Sequence, residues 1–132
     1  MNKLIHRLKR KWYKHTIRNV PQLKFSPESL KEEGYVSQYG QDKYINENFF
    51  KGKESGVFID IGANDGVFLS NTLFFDKTLK WDGLAIEPLP VTFKKLKANR
   101  ECTVVNACVN DIDGEVSFMA VDGYAEMLSG IV

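Results

Sequence analysis

From residue 57 onward the chain alternates between two kinds of apolar run. VFIDI (57–61), LAIEP (84–88) and CTVVNACV (102–109) are short, rich in β-branched residues and closed by turn residues or acids. They predict three strands. VFIDI lacks a clean apolar–polar alternation, which predicts a strand buried on both faces. Between these runs, VFLSNTLFF (67–75) predicts one helix and PLPVTFKKLKANR (88–100) a second. In the second, Pro90 suits the start, Phe93 and Leu96 face inward, and the basic last turn suits the helix dipole. The order strand, helix, strand, helix, strand is that of a parallel sheet carrying helices on its faces. NDIDG (110–114) then predicts a turn, and EVSFMAV (115–121) a strand with alternating sides. Upstream, GQDKYINENFF (40–50) predicts a helix with Tyr44, Ile45 and Phe49 on one side. Asp42 there suits a helix cap, or the entrance of a site together with Gln38 and Gln41.

The first residues obey a different pattern. Leu4, Leu8 and Trp12 recur four apart beside Ile5, one narrow apolar stripe on a helix that Pro21 stops. Charge separates this segment from the rest. Residues 1–24 hold eight Lys/Arg and no acid, so the remainder carries ten basic and seventeen acidic residues, a net charge of −7. The chain divides into a basic amphipathic arm (1–24), a linker with a short helix (25–36) capped by Ser26 and ended by Gly34, and an α/β body (37–132). The arm reads either as a solvated tail or as a segment in weak contact with an anionic membrane surface; nucleic acid is the weaker expectation.

The 132 residues suit one domain, and 43% hydrophobic residues suffice for a core. No apolar run reaches the roughly 20 residues of a membrane span, and the N-terminus lacks the apolar stretch of a signal peptide. Cys102 and Cys108 are too few for a disulfide framework and read as reduced thiols, which points to the cytoplasm, with the arm peripheral to a membrane at most. His6 and His15 are the two histidines, both in the arm, so no metal site is expected.

The chemistry concentrates where the first strand ends, in Asp60-Ile61-Gly62-Ala63-Asn64-Asp65-Gly66. In a doubly wound sheet, ligands bind beyond the carboxyl ends of the strands, near the first crossover. Glycines there permit the turn and a close approach of ligand to backbone. The amides of Ala63 to Gly66 would open the next helix and donate hydrogen bonds. A dinucleotide is disfavoured. The spacing Gly62-x-x-x-Gly66 lacks the middle glycine of the dinucleotide fingerprint, and Asp60 and Asp65 would repel a pyrophosphate by about 1 kcal/mol or more per pair. A cationic ligand reverses that sign, and S-adenosylmethionine carries a sulfonium and an ammonium. Glu87, 21 residues after Gly66 at the tip of the second strand, can accept both ribose hydroxyls. Asp111, after the third strand, meets the adenine amino group or simply serves its turn. Asn71 packs in the first helix or touches the methionine end of the ligand.

Taken together, SQYGQDKYI, GVFIDIGANDGVFLSNT, WDGLAIEPLPVTFKKLKANR and NACVNDIDGEVSF resemble the FkbM-type methyltransferases. The resemblance covers roughly residues 37–130. It implies a Rossmann-like class I methyltransferase fold, S-adenosylmethionine as cofactor, and methylation of hydroxyls on sugars and natural products. It also implies that Asp60, Gly62, Asn64 and Gly66 form the cofactor loop and that Glu87 holds the ribose. Three strands are fewer than such a sheet needs, so the expectation is the N-terminal part of an incomplete domain. No residue stands out as a catalytic base; Asp65 is the nearest. The alternatives are a non-catalytic cofactor-binding module and an adaptor acting through its basic arm.

Overall fold

The computed structural model describes residues 33–121 and 128–132. The basic arm and most of the expected linker helix lie outside the described residues. Helix α1 (Gln41–Ile45) runs directly into a π-helical turn (Asn46–Phe50). There follow strand β1 (Val57–Ile61), helix α2 (Leu73–Lys77), strand β2 (Asp82–Ile86), helix α3 (Pro90–Asn99) and strand β3 (Thr103–Val105). Strands β4 (Phe118–Met119) and β5 (Gly130–Ile131) form a separate antiparallel pair. The main sheet is parallel in the order β1-β2-β3. This is a mixed α/β fold consistent with a Rossmann-like methyltransferase. Among the described residues, no helix is long and apolar enough to cross a membrane.

One sheet face carries the core. Phe58 pairs in register with Gly83, and its ring lies where any side chain at 83 would stand. Around Phe58 pack Tyr35, Phe74, Phe75, Leu79 and Trp81. Tyr35 stacks on Phe74 at 4.0 Å between ring centroids, and its hydroxyl accepts a hydrogen bond from Asn46 Nδ2 at 2.8 Å. A second cluster, Ala63, Ala85 and Leu96 with Phe93, Cys102 and Val104 at its margin, seats α3 on β2 and β3. Burial there pushes the Cys102 thiol pKa up, which keeps it neutral and small-residue-like.

The opposite face is open. Val57, Ile59 and Ile61 are 75%, 65% and 63% exposed, so β1 is buried on one face and not on both. An apolar run records which side chains a strand carries; what covers them is a tertiary fact, and no described residue covers this side.

Three other expectations are corrected. The predicted helix over 67–75 is a helix over Leu73–Lys77. Polar side chains capture the backbone before it: Asp65 Oδ1 accepts the amides of Val67 and Phe68, and Ser70 Oγ accepts those of Thr72 and Leu73. Leu69 also sits at φ +56°, outside helical geometry. The third strand stops at Val105, where Asn106 turns its side-chain amide onto the carbonyls of Glu87 and Pro88. The strand predicted over 115–121 is paired at Phe118 and Met119 alone, because its partner β5 is two residues long.

Helix α1 also presents an unexpected face. Its buried side is polar, Asp42 and Lys43, and Asn46 continues that side into the π-helical turn. Asp42 is fully buried and accepts from the amides of Val36, Ser37 and Lys43 and from Ser37 Oγ. It ties the segment before the helix to the helix start. Phe49 is exposed, its ring edge-on to Tyr44 with 6.0 Å between centroids, while Ile45 meets the core.

Candidate functional site

The carboxyl ends of β1 and β2 meet at Glu87. The residue is 6% exposed, and its carboxylate bridges the turn after β1 and the segment after β2. Oε2 accepts the amide of Asn64 at 3.0 Å, and Oε1 accepts the amide of Leu89 at 2.9 Å. An ionised carboxylate offers about four lone-pair sites, so two remain after these bonds. A cavity of about 140 Å³ opens at this point, lined by Gly62, Asn64, Glu87, Pro88, Leu89, Thr92, Phe118 and Ser129. That is smaller than the roughly 300 Å³ at which drug-sized ligand pockets begin, so these residues form the wall for part of a ligand.

The glycine loop is shaped from below and open above. Gly62 and Gly66 both have positive φ, +76° and +79°. Their surroundings differ. No atom lies within 4 Å of where a Cβ on Gly62 would sit, and Gly62 borders the cavity. A Cβ on Gly66 would come within 2.6 Å of Leu96 and 2.7 Å of Arg100. Gly62 therefore leaves room for a ligand, while Gly66 lets the loop press onto α3.

The loop amides are spent within the protein. Gly62 and Ala63 donate to Ile86 O, Asn64 to Glu87, Asp65 to its neighbour Asn64 Oδ1, and Gly66 to Ala63 O. Val67 and Phe68 donate to Asp65. Seven successive amides thus have protein acceptors, and no helix begins until Leu73. The expectation that Ala63 to Gly66 would open a helix and offer their amides is corrected: two backbone carbonyls and the side chains of Asn64 and Glu87 accept them. Phosphate sites rely on free amides at a helix N-terminus; the amides of Gly62 to Phe68 are all bonded within the protein, and no helix begins there.

The residues expected from the sequence fall into three groups. Gly62, Asn64 and Glu87 border the cavity. Asp60, Ala63, Asp65 and Gly66 build the loop behind it. Ala63 is buried in the second cluster, Asp60 Oδ2 accepts from Thr72 Oγ1 at 2.6 Å, and Asp65 caps the turn that follows. Asn71 and Asp111 are exposed and do not line the cavity. Pro88, Leu89 and Thr92 join the wall simply by following Glu87 in sequence. Phe118 and Ser129 were not readable as site residues. They arrive through the β4–β5 pair, where Ser129 Oγ also accepts the amide of Val121 at 2.9 Å. Among the described residues, no group of three or more His, Cys, Asp or Glu side chains is placed to hold a metal ion.

Comparison with known proteins agrees with this layout. The family model of the methyltransferase FkbM domain matches residues 60–130, from the acid at the end of β1 to the start of β5. Neither the curated proteins nor the solved structures searched give a match. The match spans more than half of the chain and contains the glycine loop, Glu87 and every described residue of the cavity wall, and so the chain belongs to the FkbM methyltransferase domain family.

Proposed function

We propose that the cavity at the ends of β1 and β2 receives S-adenosylmethionine and that the protein transfers its methyl group to a hydroxyl oxygen of a sugar or natural product. The observation that carries this reading is the buried Glu87 carboxylate beside an open Gly62, at a loop whose amides are already taken. Two free lone-pair sites on Glu87 suit the two hydroxyls of a ribose. The open side of Gly62 lets a ligand lie against the backbone. Phe118 adds an aromatic ring to the cavity wall. The acidic character of Asp60, Asp65 and Glu87 favours a cationic ligand over a phosphorylated one.

When bound, S-adenosylmethionine supplies a methyl group already activated by its sulfonium. The protein's task is then to hold donor and acceptor in line, with the loop and Glu87 fixing the donor end. Glu87 is the one titratable side chain on the described cavity wall, and it is engaged by the loop. We therefore assign no catalytic base to these residues. We place the protein in the cytoplasm, where its two free thiols stay reduced.

The test is transfer of radiolabelled methyl from S-adenosylmethionine to a panel of sugars and hydroxylated small molecules. The reading expects label in at least one acceptor and none when Glu87→Ala is used. Cofactor binding without label in any acceptor would instead favour a non-catalytic cofactor-binding module.

A further inference from the structure

Arg100 is fully buried at its side chain, although it follows the last residue of α3, where a basic residue is ordinarily solvated. Its guanidinium does more than pair with a carboxylate. Nε donates to Asp76 Oδ2 at 2.5 Å. Nη1 donates to the carbonyl of Gly66 at 3.1 Å and to Ser70 Oγ at 3.3 Å. Nη2 donates to Thr72 Oγ1 at 3.1 Å. Thr72 Oγ1 in turn donates to Asp60 Oδ2 at 2.6 Å. Because the hydroxyl accepts from Arg100, its own proton is directed onto Asp60. The Arg100 guanidinium carbon lies over the Phe58 ring, 5.3 Å from the ring centroid.

One residue thus gathers the segment from β1 to α2 at positions 66, 70, 72 and 76, and reaches position 60 through a hydroxyl. Its neighbour Asn99 donates to the carbonyl of Asp65 at 2.8 Å. Leu96 and the Arg100 stem fill the space beneath Gly66. No buried side-chain polar atom among the described residues lacks a partner, so the network is closed and rigid rather than half-made.

We propose that Arg100 is a positioning residue for cofactor binding: the end of α3 clamps the glycine loop from beneath through the carbonyls of Asp65 and Gly66 and orients Asp60 through Thr72. This rests on the reading that the loop receives S-adenosylmethionine. Arg100 touches no ligand; it acts by holding Gly62 and Asn64 where the cavity wall needs them. The four Arg100 bonds leave from three nitrogens of one planar fork, a geometry that a lysine cannot supply.

The experiment uses the whole chain with three variants: Thr72→Val, Arg100→Lys, and the double variant Arg100→Met with Asp76→Leu. The double variant leaves no unpaired buried charge, and such replacements are often tolerated. Three readings are taken: S-adenosylmethionine affinity by calorimetry, denaturant midpoint, and amide hydrogen exchange. The clamp predicts at least a tenfold loss of affinity in the double variant and in Arg100→Lys, a smaller loss in Thr72→Val, and faster exchange confined to residues 62–68. Loop amides that keep their protection, with affinity within twofold of the parent, would overturn it, whatever the midpoint does. A purely structural role would lower the midpoint and speed exchange evenly, leaving affinity intact. If the double variant does not fold, Thr72→Val and Arg100→Lys decide by the same readings. If the parent itself binds no S-adenosylmethionine, the cofactor assignment falls, and the exchange pattern alone shows whether the loop is clamped.

Discussion

Glu87 and Asn64 are 23 residues apart in sequence and joined by a 3.0 Å hydrogen bond from the Asn64 amide to the Glu87 carboxylate. The bond ties the turn after β1 to the tip of β2. It makes Glu87 both a part of the cavity wall and a strut of the loop that supplies Gly62 and Asn64 to the same wall.

Replacing Glu87 therefore has two effects. Glu87→Ala leaves the amides of Asn64 and Leu89 without their acceptor and destabilises the protein by about 1–3 kcal/mol. Glu87→Gln keeps one oxygen and turns an amide group toward one of the two donors, so it costs a similar amount, near the lower end. Chemical denaturation measures both. A change below about 0.5 kcal/mol for Glu87→Ala would show that the two hydrogen bonds contribute little.

The two loop glycines should respond differently. Gly66→Ala drives a methyl into Leu96 and Arg100 and forces a positive φ on alanine. Left-handed geometry alone costs about 1–2 kcal/mol, and overpacking adds about 1–3 kcal/mol. Gly62→Ala meets no atom, so it carries the conformational cost alone. Its methyl nevertheless projects toward the cavity and weakens ligand binding. Unfolding curves and calorimetry on the two variants separate a packing glycine from a ligand-facing one. Equal stability losses would contradict the distinction.

Phe58 and Ile59 are adjacent on β1 and face opposite ways, one into the aromatic cluster and one into the open. Phe58→Ala is expected to cost about 3–5 kcal/mol. Ile59→Thr keeps the β-branched shape and is expected to stay within about 0.5 kcal/mol, as exposed sites do. Denaturant unfolding compares them directly. A large loss at Ile59 would mean that its face is covered in solution.

The sequence pattern located what is local and missed what depends on distant partners. The three strands, their order and Glu87 at a strand tip were legible, because apolar runs closed by turn residues leave few other arrangements. The first crossover was not. Asp65 and Ser70 outcompete the helix for its first amides, and periodicity does not register that contest. The run VFIDI revealed which residues are apolar, though not that one side lies open. Arg100 read as a cation suited to a helix end. Its burial follows from Asp76, 24 residues earlier, which no local pattern connects to it. Phe118 and Ser129 reach the cavity through the pairing of β4 with β5, and strand alternation does not say which side faces a ligand.

The most direct measurement of the central claim is isothermal titration of the whole chain with S-adenosylmethionine, and in parallel with NAD. An acidic site with its loop amides already bonded predicts saturable binding of S-adenosylmethionine, at least tenfold tighter than any binding of NAD, a difference of about 1.4 kcal/mol or more. Glu87→Ala should abolish most of that preference. Tighter binding of NAD, or S-adenosylmethionine affinity unaltered by Glu87→Ala, would contradict the account.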